Sequence, residues 1–320
     1  MTRNSAGSVR PDGYVHRALF YDSPSQLVDA LVPFVQDGIA GDEHVVVVID
    51  HDSGVSLVER LGSPHGFDLV DSTTMYTHPA WTMAGYIAAV GESTKNGRPM
   101  RVAGEPIWEG RSRLEIEEWT CVEAACNVAF DGAPLTMLCP YDLTRLDPSI
   151  VAAARRTHPL IQRHAHIAGN AEFTTPAIYR SDVQRRPLEP ALRSAEVRTF
   201  ASQADLAELR AFVYAFARVR SVPETRSLDF ATAVNEIATN TIENAVGNST
   251  VKVWSVGSQV FCDVTSAGVI PAGFAALIPP SNRQLRGRGI WLAGQLCDLI
   301  AIREHDGATT VRLQIATTYD

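Results

Sequence analysis

ATAVNEIATNTIENAVGN, residues 231–248, sets a carboxylate and two amides on one helical ridge. Glu236, Asn240 and Asn244 recur every four residues, the spacing that stacks side chains on one face of a helix. Val234, Ile237, Ala238, Ile242, Ala245 and Val246 supply the apolar stripe that would bury the helix. Asn is a poor helix former because its amide competes for the backbone, so two of them in register point to amides with partners to bind. The stretch therefore reads as a site carried on a core helix.

The 320-residue chain is long enough for two domains of ordinary size. With 45% hydrophobic and 20% charged residues the composition is that of a globular protein. No apolar run is long enough to span a membrane, and the opening MTRNSAGSVRPDG lacks a signal-like apolar region, so the expected location is cytoplasmic with no membrane partner. Five cysteines, at 121, 126, 139, 262 and 297, form no CxxC pair, which argues against a disulfide framework or a zinc knuckle. Residues 1–180 hold 14 Lys and Arg against 22 Asp and Glu, while the remainder holds 14 of each, so the whole net charge of −8 lies in the first part. Neither half has the basic balance of a nucleic-acid binder. If the protein controls transcription, it does so through another protein.

Working outward, residues 1–14 read as a disordered leader. SPSQLVDALVPFVQDGIAGDE is a helix with Ser23 as N-cap, Pro24 at the first position and Gly38 as C-cap. HVVVVID, apolar at nearly every position, is a strand covered on both faces, which implies a parallel sheet with helices on either side. The alternation continues through helix Val55–Leu61, strand Phe67–Asp71, helix Pro79–Lys95, strand Met100–Ala103, helix Arg113–Phe130 and strand Leu135–Leu138. This is an α/β domain with a mostly parallel sheet, over residues 15–164, and no GxxxxGK[ST] or GxGxxG follows its strands. No sustained period runs from Thr157 to Pro190, and the linker is placed at 165–192. Residues 193–320 then read as an α+β sandwich with a largely antiparallel sheet: strand Ala195–Thr199, helix Gln203–Arg218, the opening helix, strands Thr250–Val256 and Gln259–Val264, helix Gly289–Cys297, and strands Leu299–Arg303 and Thr309–Gln314.

Glu236-x-x-x-Asn240-x-x-x-Asn244, then Val264-Thr265-Ser266-Ala267-Gly268, then Arg286-Gly287-Arg288-Gly289-Ile290-Trp291-Leu292, in that order, resemble the ATP-binding fold of the GHKL superfamily, and within it the bacterial anti-sigma-factor serine kinases. The resemblance covers Ala195 to Ile315 and implies ATP and Mg²⁺ as cofactors. It places Asn240 as the amide that holds Mg²⁺ against the phosphates and Glu236 as the base that takes a proton from a partner's serine hydroxyl. Asn244 flanks the site, and Gly268, Arg286, Gly287 and Gly289 fall in the two glycine motifs, the second leading into a helix N-terminus that suits phosphate. Where the family carries an aspartate that accepts a hydrogen bond from the adenine amino group, this chain has Ser266. Exchange of a charge-assisted contact for a neutral one would weaken nucleotide binding by about 1–3 kcal/mol. Asp263 has the right chemistry but lies out of phase on the strand and should point to the other face.

In the first half HRALFYDSP, DGIAGDE, RVAGEPIWEG, EEWTCVEAACN, CPYD and THP resemble the MEDS sensory domain, which implies a RecA-like α/β fold without its phosphate loop and a role in sensing. Arg101, Glu105, Trp108, Glu117, Glu118, Trp119, Cys139, Tyr141, Asp142 and His158 are the candidate signal-binding residues, because open α/β sheets collect ligands at strand ends. Cys121, Cys126 and Cys139 are candidate redox sensors. The spacing of His158, His164 and His166 matches no standard metal site.

Three functions stay open. A sensor could control an anti-sigma module that binds a sigma factor and phosphorylates an anti-sigma-factor antagonist on serine. A non-catalytic adaptor could retain the interface after losing the nucleotide. A sensor histidine kinase would need a phosphoacceptor histidine just before the ATP domain, and residues 167–304 contain none. Homodimerisation through the C-terminal half is a further implication of the resemblance.

Overall fold

HVVVVI becomes β2 (His44–Ile49), with parallel neighbours on both sides, as its unbroken apolar run requires. The computed structural model describes residues 13–62, 65–244, 247–268, 272–280 and 288–318. Around β2 the chain builds β1 (Val15–Tyr21), α1 (Pro24–Ala40), α2 (His51–Leu61), β3 (Phe67–Asp71), the single turn α3 (Ser72–Met75), α4 (Pro79–Lys95), β4 (Met100–Gly104), α5 (Arg113–Ala129), β5 (Leu135–Asp142), α6 (Pro148–Thr157), β6 (Leu160–Arg163) and β7 (His166–Gly169). The sheet order is β3-β2-β4-β5-β1-β6-β7, parallel throughout except for the β6–β7 hairpin. The expected α/β domain is therefore present, with an antiparallel edge. Leu27, Leu31, Phe34 and Val35 of α1 pack on Leu19, Val45, Val47, Ile49 and Leu138, forming a core on one face of the sheet.

Two local readings change. Gly38 lies inside α1, which ends at Ala40 and is capped by Gly41. Glycine is required at 38 because a Cβ there would stand 2.5 Å from Val45 and 2.9 Å from the Arg101 side chain. The stretch 165–192, read as linker, holds β7 and the helix α7 (Pro176–Gln184). Both are too short to display a period.

The second sheet follows with β8 (Glu196–Phe200), a 3₁₀ turn (Gln203–Asp205), α8 (Leu206–Val219), α9 (Glu224–Asn244), β9 (Ser249–Val256), β10 (Gln259–Ala267), α10 (Arg288–Leu296), β11 (Leu299–His305) and β12 (Ala308–Ala316). Its order is β11-β12-β10-β9-β8, every pair antiparallel. Val213 and Phe216 of α8, Phe230, Val234 and Ile237 of α9, and Ile290 and Ala293 of α10 cover one face of the sheet against Val251, Val260, Cys262, Val264, Val311 and Leu313. The chain forms two compact units, one on each sheet. The second takes in His78–Ala84 and Arg113–Cys121 as well as the chain from Arg180 onward.

Candidate functional site

α9 is longer than the quoted stretch implied, starting at Glu224; Val234, Ile237 and Ala238 of its apolar stripe lie in the core and Ile242 packs against it, while Ala245 and Val246 lie outside the described residues. Glu236 and Asn240 lie one turn apart at half-buried positions, and Asn244 is exposed at the end of the helix. The Asn244 Nδ2 donates to the Asn240 backbone oxygen at 2.7 Å and to its Oδ1 at 3.2 Å, which identifies the Asn240 oxygen and orients it. At the start of α10, a Cβ on Gly289 would stand 2.9 Å from the Glu236 Oε2. Glycine at 289 therefore lets the α10 N-terminus lie directly against the Glu236 carboxylate. Arg286 and Gly287 lie outside the described residues.

On β10 the alternation separates the two candidate adenine anchors. Cys262, Val264 and Ser266 turn to the helix-covered face, and Asp263 to the other. Asp263 is committed there: Arg312 Nε and Nη2 donate to its two oxygens at 2.7 Å each, and the guanidinium lies 4.8 Å from the Trp254 ring. Burial nevertheless leaves the Asp263 carboxyl above its ordinary range, against the pull of Arg312. Ser266 is 3% exposed, and its Oγ has no hydrogen-bond partner among the described residues. Gly268 follows at φ 92°, a backbone that favours glycine, and its oxygen accepts from Thr309 Oγ1 at 2.8 Å. A buried hydroxyl left unpaired beside a glycine turn fits the polar edge of a ligand. By these features the residues present fit a nucleotide, with a neutral group where the resemblance expects a carboxylate.

In the first unit the candidates divide. Arg101 sits near the amino end of β4, away from the expected edge, and binds Glu43 in bidentate fashion at 2.8 and 2.9 Å while donating to the Phe34 oxygen at 3.2 Å. Glu105 does lie at the carboxyl edge, accepting a 2.5 Å hydrogen bond from the Tyr21 hydroxyl. Burial and the neighbouring Asp50 and Asp142 carboxylates push Glu105 up to about 7, against that hydrogen bond. Asp142 caps the following turn through Thr144. Glu118 and Trp119 belong to the second unit, where Arg180 and Arg303 reach Glu118 at 3.0 and 2.6 Å and Arg303 also reaches Glu117 at 2.8 Å. Burial opposes the Glu118 charge, but the two guanidiniums outweigh it and hold the carboxyl below its ordinary range.

Cys139, Tyr141 and His158 come together. β1 and β5 pair with Ala18 opposite Cys139 and Phe20 opposite Tyr141, so His16, Cys139 and Tyr141 share one face of the sheet. α5 brings Glu123 to it, and the chain leaving α6 brings His158. Glu123 Oε2 lies 3.3 Å from His16 Nε2, 3.4 Å from His158 Nε2 and 3.4 Å from Cys139 Sγ, which is itself 3.4 Å from His16 Nε2. The Tyr141 ring meets His158 edge-on at 5.6 Å and lies 6.2 Å from the Trp108 ring, whose indole nitrogen has no partner among the described residues. His164 and His166 take no part in this cluster.

Residues 15–159 match the family model described as MEDS, the methanogen/methylotroph DcmR sensory domain, and residues 200–315 match the histidine kinase-like ATPase domain. The chain joins a MEDS domain to a histidine kinase-like ATPase domain. Among solved structures, the RsbU and RsbW domains of Rv1364c from Mycobacterium tuberculosis align at 17% identity and TM-score 0.29, over 38% of this chain and 32% of that one. ATPases 2 and 3 of EssC from Geobacillus thermodenitrificans align at 10% identity and TM-score 0.28, over 48% and 32%. The chain thus spans about a third of each of these relatives. No curated protein matches it.

Two members of the MEDS-domain cluster, His16 and Glu123, were not among the sequence candidates. The available signal was Glu123 and Asn127, two polar residues one turn apart in a helix otherwise reading Val122, Ala124, Ala125, Cys126. Burial and the charge of Glu123 push the Cys139 thiol well above its ordinary range, and burial raises Cys121 to about 11. All five cysteines are buried, an environment that disfavours the reactive thiolate of a redox sensor. No helix among the described residues is long and apolar enough to cross a membrane.

Proposed function

We propose that this chain is a transcription regulator in which the MEDS domain senses a signal and governs an ATPase-type module that sequesters a sigma factor and phosphorylates an antagonist on serine. The observation that carries the reading is the Glu236–Asn240 ridge with Gly289 seated against the Glu236 carboxylate. ATP held there with Mg²⁺ would supply the phosphoryl group. The Asn240 oxygen is an uncharged ligand suited to a cation already surrounded by phosphate oxygens, and Asn244 fixes its direction. Glu236 would accept the proton of an incoming serine hydroxyl. Ser266 Oγ and the Gly268 backbone would meet the base, with Ser266 giving the weaker hold of a neutral acceptor. The choice of sigma factor and antagonist as partners rests on the order of the three sequence motifs, and the histidine-free stretch 167–304 weighs against a histidine kinase.

The test is affinity capture of the full chain from extract of its own cell, followed by incubation of the captured partners with labelled ATP and Mg²⁺. The expected result is a sigma factor in the eluate and an acid-stable label on a second protein, lost in Glu236→Gln. Recovery of no sigma factor would overturn the reading. An acid-labile label would transfer it to histidine chemistry.

A further inference from the structure

The His16, Glu123, Cys139 and His158 cluster is arranged for something that none of the four residues provides. The His158 Nδ1 lies 2.8 Å from the Ala154 carbonyl, which can only accept, so Nδ1 carries the proton. The His16 Nδ1 lies 3.1 Å from Asn127 Oδ1, and the Asn127 amide is fixed in that sense because its Nδ2 donates to the Glu123 and Thr157 carbonyls at 3.1 and 2.8 Å. His16 Nδ1 is therefore also the protonated nitrogen. Both Nε2 atoms are then bare lone pairs, and both point at one carboxylate oxygen, at 3.3 and 3.4 Å. His158 Nε2 makes no hydrogen bond, although the residue is completely buried.

The Cys139 thiol proton can serve the Glu123 oxygen or His16 Nε2, each 3.4 Å from Sγ, but it leaves His158 Nε2 without a donor. One extra proton would serve only one of the two imidazole–carboxylate contacts, and two would set two imidazolium rings with centroids 4.1 Å apart in a site closed to water. One divalent cation answers both objections, since a carboxylate and a thiolate together balance its charge.

We propose that His16 Nε2, Glu123 Oε2, Cys139 Sγ and His158 Nε2 bind one divalent transition-metal ion of the zinc class. The ligand atoms lie within 4.8 Å of one another. Metal–ligand bonds of about 2.0–2.3 Å in a tetrahedron imply ligand-to-ligand edges of about 3.3–3.6 Å. Four of the six edges measure 3.3–3.4 Å. Two imidazoles, a thiolate and a carboxylate suit borderline-soft zinc better than hard magnesium or calcium. Each ring donates its remote N–H to an oxygen, the outer contact that fixes the tautomer of metal-bound histidine. A thiol that burial keeps protonated is deprotonated outright on coordination. All four positions being protein ligands, the site is of the closed kind that stabilises a fold rather than one that activates water.

The test loads the full-length protein with zinc or cobalt(II) in the absence of nucleotide, removes excess by gel filtration, and measures bound metal and the visible spectrum. About one equivalent per chain is expected, with the intense d–d bands of tetrahedral cobalt and a thiolate-to-cobalt charge-transfer band. Cys139→Ser should lose the charge-transfer band, and His158→Gln should weaken binding by about 10²-fold or more. The doubly substituted His164→Ala/His166→Ala protein should bind as wild type. Wild-type protein that retains no metal, a weak octahedral cobalt spectrum, or loss of metal in His164→Ala/His166→Ala would each overturn the proposal. The wild-type spectrum decides even where a ligand variant does not fold.

Discussion

Arg101→Met tests whether a residue singled out for signal binding is instead part of the scaffold. The substitution removes two charge-assisted hydrogen bonds to Glu43, which is 3% exposed, and a third to the Phe34 oxygen. It also strips the guanidinium from the Phe34 ring, 5.0 Å away. A buried carboxylate deprived of its partner costs about 3–5 kcal/mol. For a unit of this size each kcal/mol lowers the melting temperature by about 2–4 °C, so a fall of roughly 6–20 °C is expected in the transition of the MEDS domain. Calorimetry of the full chain reads it directly. Arg101→Met/Glu43→Leu should recover most of the loss, because the orphaned charge goes with its partner. A single variant less than about 1 kcal/mol below wild type, or a double variant no better than the single, would refute the reasoning and return Arg101 to the signal-binding candidates.

Further predictions concern other parts of the molecule. Glu105 is raised from 4.5 to about 7, so the unfolded chain ionises it first and stability falls as pH rises between those values. The unfolding free energy from urea titrations should fall by roughly 1–3 kcal/mol across that range, and Glu105→Gln should flatten the slope. Gly289→Ala drives a methyl group to 2.9 Å from the Glu236 Oε2, the free end of a side chain that can move. The fold should persist by circular dichroism while the proposed phosphotransfer falls about 10²-fold. Arg312→Leu leaves Asp263 buried without its two guanidinium hydrogen bonds and should destabilise the ATPase domain by about 3 kcal/mol in guanidinium unfolding.

Strands buried on both faces were legible because their pattern is local: HVVVVI and the run from Leu135 announce themselves without knowledge of their neighbours. The β6–β7 hairpin and α7 were not, since segments of four and nine residues give too few repeats to establish a period. The ridge on α9 could be read from its spacing alone. The MEDS-domain cluster could not, for Cys139 meets His16 across 123 residues of sequence and Glu123 across 16. Two strands, a helix and the chain leaving another helix must first be assembled before those four side chains share a point. The scaffold contact of Arg101 was illegible for a related reason: its partner Glu43 lies 58 residues away, and a strand-borne arginine looks the same in sequence whether it binds a signal or a scaffold carboxylate.

The central claim is that the α9 ridge and the Ser266 turn still hold a nucleotide, and titration of a fluorescent ATP analogue with Mg²⁺ into the full chain addresses it most directly. The account predicts saturable, Mg²⁺-dependent binding by wild type, tightened by about one to two decades in Ser266→Asp and lost in Asn240→Ala. Absence of binding by the wild-type protein would contradict it and leave the chain as a protein-binding adaptor.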